Sequence, residues 1–339
     1  MPDSSVSVNF LLPITTPEEI EYFSSLNLES AKHLFAQGDY CWSLQTYLVL
    51  RDRGLPVYLS SRFHKDRINI AHARTLQGKW PRPDVFVIDV KADMPYDYWG
   101  AQLQIVQNGY SADIRNGRHF IPLWPQAGLI KRDSGRTKVG TFAFAGRQLN
   151  LAAKVSEFET MAEKLALEFK LLGSSDWADL SEIDVLIGVR NFDHNRHESK
   201  PASKLYNAWH ANIPFIGGWD VAFSEIGEPG KAYIRVSSMA ELESELSRLT
   251  TDNDYYNSFI EAGWQLRVSY SQDSIAKLWE VFLEDIAVPH YLEWQLQSDQ
   301  AKYYAFAKKF LRNFFTLNAA RKMKANVRRY FRSRLAVNR

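Results

Sequence analysis

The 339-residue chain holds a single cysteine, Cys41, which excludes an intrachain disulfide and any zinc site built on cysteine ligands. A reducing, cytoplasmic setting fits that scarcity. No stretch reaches about 18 uninterrupted apolar residues. The apolar run near the N-terminus is broken by Pro13 and has no basic segment before it, so neither a membrane span nor a secretory signal is expected. A P-loop, a G-x-G-x-x-G turn after a strand, an H-E-x-x-H helix and a G-x-S-x-G elbow are all missing. Acidic residues are missing from Ala301 to Arg339, where twelve Lys or Arg occur.

That last absence sets the charge pattern. Residues 1–300 keep 29 basic against 39 acidic side chains, so the overall +2 hides an acidic body and a basic tail. Such separation is expected of a tail that meets an anionic partner. The rest of the composition, 45% apolar and 24% charged, is that of an ordinary folded protein, and the length suits two domains with separate cores. Ten tryptophans and sixteen tyrosines can fill those cores or line a sugar-binding cleft.

Short β-branched runs alternate with helical patterns twice along the chain, which predicts an α/β protein. In residues 1–136 the expected strands are Val6 to Leu12, Pro56 to Ser60, Asp84 to Val90, Leu103 to Asn108 and His119 to Trp124, with a broken helical stretch from Leu28 to Arg53. A basic, polar joint at Lys131 to Lys138 has the composition of a linker. Residues 137–290 repeat the alternation, with strands at 139–146, 169–172, 184–190, 214–216 and 231–236, and helices at 255–268 and 274–285 expected to close the second domain. Residues 291–339 read as a basic amphipathic helical tail. Phe306, Phe310, Phe314 and Leu317 form its stripe, among Lys308, Lys309, Arg312, Arg321, Lys322 and Lys324.

Ligands of open parallel sheets bind beyond the carboxyl ends of the strands, so polar residues there are the site candidates. Gly146 and Arg147 follow a strand, where glycine permits close approach and a guanidinium can pair with phosphate. Arg190 ends another strand. Lys200 and Lys204 are spaced to share one face in the first turn of a helix, adding their charge to its dipole. An ordinary turn and a solvated lysine face are the plainer readings of the same residues. Glu225, between a glycine turn and Gly227, is placed to accept hydrogen bonds from ribose. His72 and Asp93 in the first half are candidates for a general base, with packing or capping as their plainer roles.

The run Lys200-Pro-x-x-Lys-Leu-x-Asn-Ala-x-x-Ala-x-Ile-Pro-x-Ile216, followed by Ser224-Glu225-x-Gly227 and the serine-capped helix after Ser238, resembles the donor half of GT-B glycosyltransferases. The first half looks like the acceptor domain of that family. The resemblance implies two Rossmann-like domains facing across a cleft and transfer of a sugar from a nucleotide-diphosphate sugar to a glycan or lipid-linked acceptor. No cofactor beyond that donor substrate is implied. It places Arg147, Lys200 and Lys204 on the donor diphosphate and Glu225 on the ribose. The D-x-D triplet Asp252-Asn-Asp254 sits between expected helical segments rather than at a strand end, so no metal is expected and basic residues are expected to take its place. An anionic membrane surface is the expected partner of residues 301–339; nucleic acid is not expected. A non-catalytic GT-B-like protein that binds a partner or membrane, and a GT-B-fold epimerase of nucleotide sugars, remain open alternatives.

Overall fold

The computed structural model describes residues 6–13, 16–77, 79–94 and 96–315. Its short apolar runs form two parallel sheets. The first holds β1 (Val8–Leu11), β2 (Val57–Ser60), β3 (Ile68–His72), β4 (Val87–Val90), β5 (Leu103–Val106) and β6 (Arg118–Phe120), in the order 2-1-3-4-5-6. The second holds β7 (Thr141–Ala145), β8 (Glu168–Leu172), β9 (Val185–Gly188), β10 (Phe215–Gly217) and β11 (Ile234–Arg235), in the order 11-10-9-7-8. Every residue of β1, β3, β4, β5, β9 and β10 is buried, as expected of parallel strands covered on both faces. Strand order reverses between β1 and β3 in one sheet and between β7 and β9 in the other, the places where such sheets open a crevice.

Strand β3 is absent from the sequence reading because Asn69 and His72 interrupt its apolar pattern. Both polar side chains are nonetheless buried with partners: Asn69 Nδ2 donates to Phe86 O at 3.1 Å, and its Oδ1 accepts from Asn9 at 3.0 Å. The expected break in the helical stretch of residues 28–53 falls at Gln37, between a tight turn ending at Ala36 and a wide turn over Tyr40–Leu44.

Three expectations change. The joint at 131–138 is no free linker. Arg132 Nε and Arg136 Nη2 bond Asp184 at 2.8 and 2.6 Å, and the same carboxylate accepts from the backbone N–H groups of Gly140 and Thr141. A fully buried carboxylate in an apolar strand end needs such donors, and the basic joint supplies them.

The closing helix of the second domain belongs to the first. Gln272–Phe282 and Val288–Leu296 bury Ile275, Trp279, Phe282, Tyr291 and Trp294 in the core beneath the first sheet. Trp279 meets Phe10 edge-on at 6.3 Å, and Arg53 Nη1 bonds Asp273 at 2.8 Å. The chain therefore crosses between the sheets twice, once after Phe120 and again near Arg267–Tyr270.

The tail helix, residues 299–315 as far as described, docks on the first domain. Phe306 and Phe310 pack on Trp99 at 5.0 and 5.6 Å, and Lys309 Nζ donates to Ala101 O at 2.6 Å. Phe314 stays half-exposed. Leu317, Arg321, Lys322 and Lys324 lie outside the described residues.

Candidate functional site

The carboxyl ends of β7 and β9 face those of the first sheet across a cleft of about 460 Å³. Gly146, Arg147, Lys200 and Lys204 line it from the second domain, and His72 and Asp93 from the first. Aromatic side chains of Phe35, Trp42, Trp124 and Trp177 give it an apolar wall. Arg190 and Glu225 do not line it.

Lys204 sits in the first turn of the helix Ser203–Ala211. Its side chain is partly buried and the ammonium is enclosed. It donates to Ala145 O and lies 5.1 Å from the centroid of the Phe144 ring. Burial, reinforced by the nearby Arg190 charge, pushes its pKa down to about 7. A Cβ on Gly146 would come within 2.8 Å of the Phe144 ring and 3.2 Å of Lys204 Nζ, so only glycine fits between the strand end and this amine.

Lys200 is not in that helix, contrary to the spacing argument. Pro201 disfavours helical geometry at the residue before it, and the helix starts at Ser203. Freed from the helix, Lys200 reaches across the cleft to Asp93, Nζ to Oδ2 2.8 Å. Burial raises the Asp93 carboxyl, but the Lys200 hydrogen bond and charge outweigh it and leave it below the usual carboxylate range.

His72 ends β3 and caps the short helix after it, its Nδ1 accepting from Arg74 N–H at 3.1 Å. The same nitrogen stands 3.1 Å from Oδ1 of buried Asp39, an oxygen with no hydrogen-bond partner among the described residues unless this ring supplies one. Arg74 Nη1 is too distant at 3.7 Å. Because Nδ1 accepts from Arg74, the proton of the neutral ring sits on Nε2, facing Gly38, and Asp39 Oδ1 gains a donor from the ring only when Nδ1 takes up a proton. Burial lowers the His72 pKa, with Asp39 opposing the shift, so the ring is neutral at pH 7. Asp39 escaped the sequence reading; its only sign there is its place beside Gly38 at the break in the helical stretch.

The other two candidates are engaged elsewhere. Arg190 Nε bonds Oδ2 of Asp220 at 2.8 Å, beside the cleft. Glu225 accepts from Gly109 N at 2.9 Å, joining the two domains. Around that contact Asn108 Nδ2 donates to Glu198 O at 2.7 Å, Gln107 Nε2 to Ser199 O, and Arg196 lies over the Tyr110 ring at 4.6 Å. Among the described residues, no three His, Cys, Asp or Glu side chains converge as a metal site, and no helix is long and apolar enough to cross a membrane.

No protein-family model and no curated protein matches the sequence. Solved structures do match in fold. HepE of Anabaena, determined in complex with UDP-glucose, superposes with a TM-score of 0.50 at 12% identity, covering 83% of this chain and 100% of HepE; its UDP complex gives 0.50 at 11%. TarM matches with a TM-score of 0.45 at 11% identity over 70% of this chain, which spans 57% of TarM's length. The chain has the two-domain α/β architecture of GT-B proteins.

Proposed function

We propose that this chain is a glycosyltransferase that moves a sugar from a nucleotide-diphosphate donor to a hydroxyl of a glycan or lipid-linked acceptor without a metal ion. One observation carries the reading: an anion-binding corner of Gly146, Arg147 and Lys204 faces a neutral, carboxylate-backed histidine across a single cleft. In this reading the acceptor oxygen bonds to the anomeric carbon as the bond from that carbon to the diphosphate breaks. For Nε2 of His72 to take the acceptor proton, the ring proton moves to Nδ1 and is donated to Asp39 in place of the Arg74 N–H contact, and the imidazolium that forms is stabilised by Asp39. Charge developing on the leaving diphosphate meets Lys204, Arg147 and the free N–H groups of the Ser203 helix. Asp93, already paired with Lys200, serves as an anchor for that lysine rather than as the base.

HepE was solved with UDP and UDP-glucose, and its likeness in fold supports a uridine donor as the first choice. The tail is assigned to an anionic membrane at its cytoplasmic face. Tyr303, Tyr304, Phe314 and Phe315 remain exposed beside Lys308 on the helix already docked by Phe306 and Phe310.

Calorimetric titration with UDP, GDP, ADP and TDP tests the donor site. One nucleotide binds, and Lys204→Met weakens it by about tenfold or more, as expected for a lost charge-assisted contact. Failure of all four nucleotides to bind overturns the assignment.

A further inference from the structure

A second cavity, of about 440 Å³, opens beyond the carboxyl ends of β10 and β11 and shares no lining residue with the cleft. The Asp220–Arg190 pair stands beside it. Trp219 forms its wall, with the Arg235 guanidinium over the indole at 3.9 Å and the His194 ring edge-on at 4.5 Å. Arg196 reaches the rim from the loop after β9. Neither guanidinium bonds a carboxylate among the described residues; each rests on an aromatic ring. Asp220 is already matched by Arg190, so the cavity presents net positive charge.

Three polar atoms at this cavity are buried without a hydrogen-bond partner among the described residues: Asp220 Oδ1, Trp219 Nε1 and the Tyr233 hydroxyl. Asp220 and Tyr233 are 1% and 0% exposed. Tyr233 leans on Arg235 without hydrogen-bond geometry. Buried polar atoms in native folds are nearly always satisfied, by water or by a ligand when not by protein. Their chemistry specifies what would satisfy them. An ionised Asp220 oxygen only accepts, so the ligand must bring a hydroxyl or amine donor. The indole N–H only donates, so the ligand must also bring an acceptor oxygen. Two unpaired guanidiniums call for a phosphate or carboxylate.

We infer that this cavity binds an anionic saccharide, a sugar bearing a phosphate or a carboxylate, at a site separate from the cleft. The ring hydroxyls meet Asp220 and Trp219 while the anionic group bridges Arg196 and Arg235. This assignment rests on the cavity alone and does not depend on glycosyl transfer.

The test is calorimetric titration of the full chain with glucose 6-phosphate, glucuronate and glucose. At least one of the two anionic sugars binds, and which of them binds separates the phosphate source from the carboxylate source. Glucose itself binds about tenfold more weakly or not at all. Arg196→Gln and Arg235→Gln each weaken the anionic sugar by about tenfold. Both side chains are exposed, so unchanged thermal melting is expected to show that the fold survives. Lys204→Met, in the cleft, leaves the affinity unchanged. Binding by neither anionic sugar overturns the inference. So does binding that survives Arg235→Gln but fails in Lys204→Met, or competitive displacement by UDP, which would merge the cavity with the nucleotide's own site.

Discussion

Lys204 is where binding and stability pull in opposite directions. Its amine titrates at about 7 in the fold against an ordinary value of 10.5, so between those limits the unfolded chain holds the extra proton. By linkage, the contribution of this group to stability improves as pH rises from 7 towards 10. A bound diphosphate favours the charged amine, so nucleotide affinity falls over the same interval and binding takes up a proton. Titrations at pH 8 in buffers of different ionisation enthalpy should register that uptake, and Lys204→Met should abolish it while raising the melting temperature at pH 7. His72 gives a second pH signature. A base with a depressed pKa is deprotonated through neutrality, so the acidic fall of kcat/KM should lie below pH 6.5, while loss of the Lys204 charge supplies a separate fall above pH 7. Asp39→Asn should lower kcat by about a hundredfold, within the range typical of general-base contributions, and leave KM for the donor nearly unchanged. A normal kcat in that variant would remove His72 from the base role.

At the level of elements, the helix Gln272–Phe282 shows what patterning conveys and what it leaves out. Ile275, Trp279 and Phe282 form an apolar face that the sequence displays plainly, and the helix is where its period places it. Which sheet that face covers depends on the direction in which Arg267–Tyr270 carries the chain, and no local spacing encodes this. Trp279→Ala is expected to destabilise the first domain by about 3–5 kcal/mol, read as loss of its melting transition at lower temperature. Retention of that transition would argue against the packing on Phe10. Strand β3 was lost to reading for a related reason, because buried Asn69 and His72 resemble loop residues until Asn9 and Asp39 arrive from distant segments. The alternation of the remaining strands and helices was legible because burial on both faces of a parallel sheet leaves long apolar runs. The cleft was partly legible: Gly146, Arg147 and Lys204 stand at strand and helix ends that sequence alone can place, whereas the partners of Lys200, Arg190 and Glu225 come from across the fold.

Across the whole molecule, the two domains are held closed by a small polar seam. Glu225 on Gly109 and Asn108 on Glu198 join the domains beside the cleft, and Lys200 on Asp93 spans it. One partly exposed ion pair and a few hydrogen bonds each contribute little, so the seam suits a joint that opens for substrate entry and recloses. Glu225→Ala should shift the population towards an open form, seen as a larger radius of gyration by X-ray scattering of the ligand-free protein. An unchanged scattering profile would mean that the seam does not control closure. The double crossing of the chain has a separate consequence for how the protein can be divided. A gene cut at residue 136 would yield an N-terminal fragment without the helices that cover Phe10 and Phe86, and a C-terminal fragment carrying their exposed aromatic faces. Neither piece is a self-sufficient module. Each lacks what the other holds, so the two halves should be insoluble when expressed apart and should recover a single working particle only when made together.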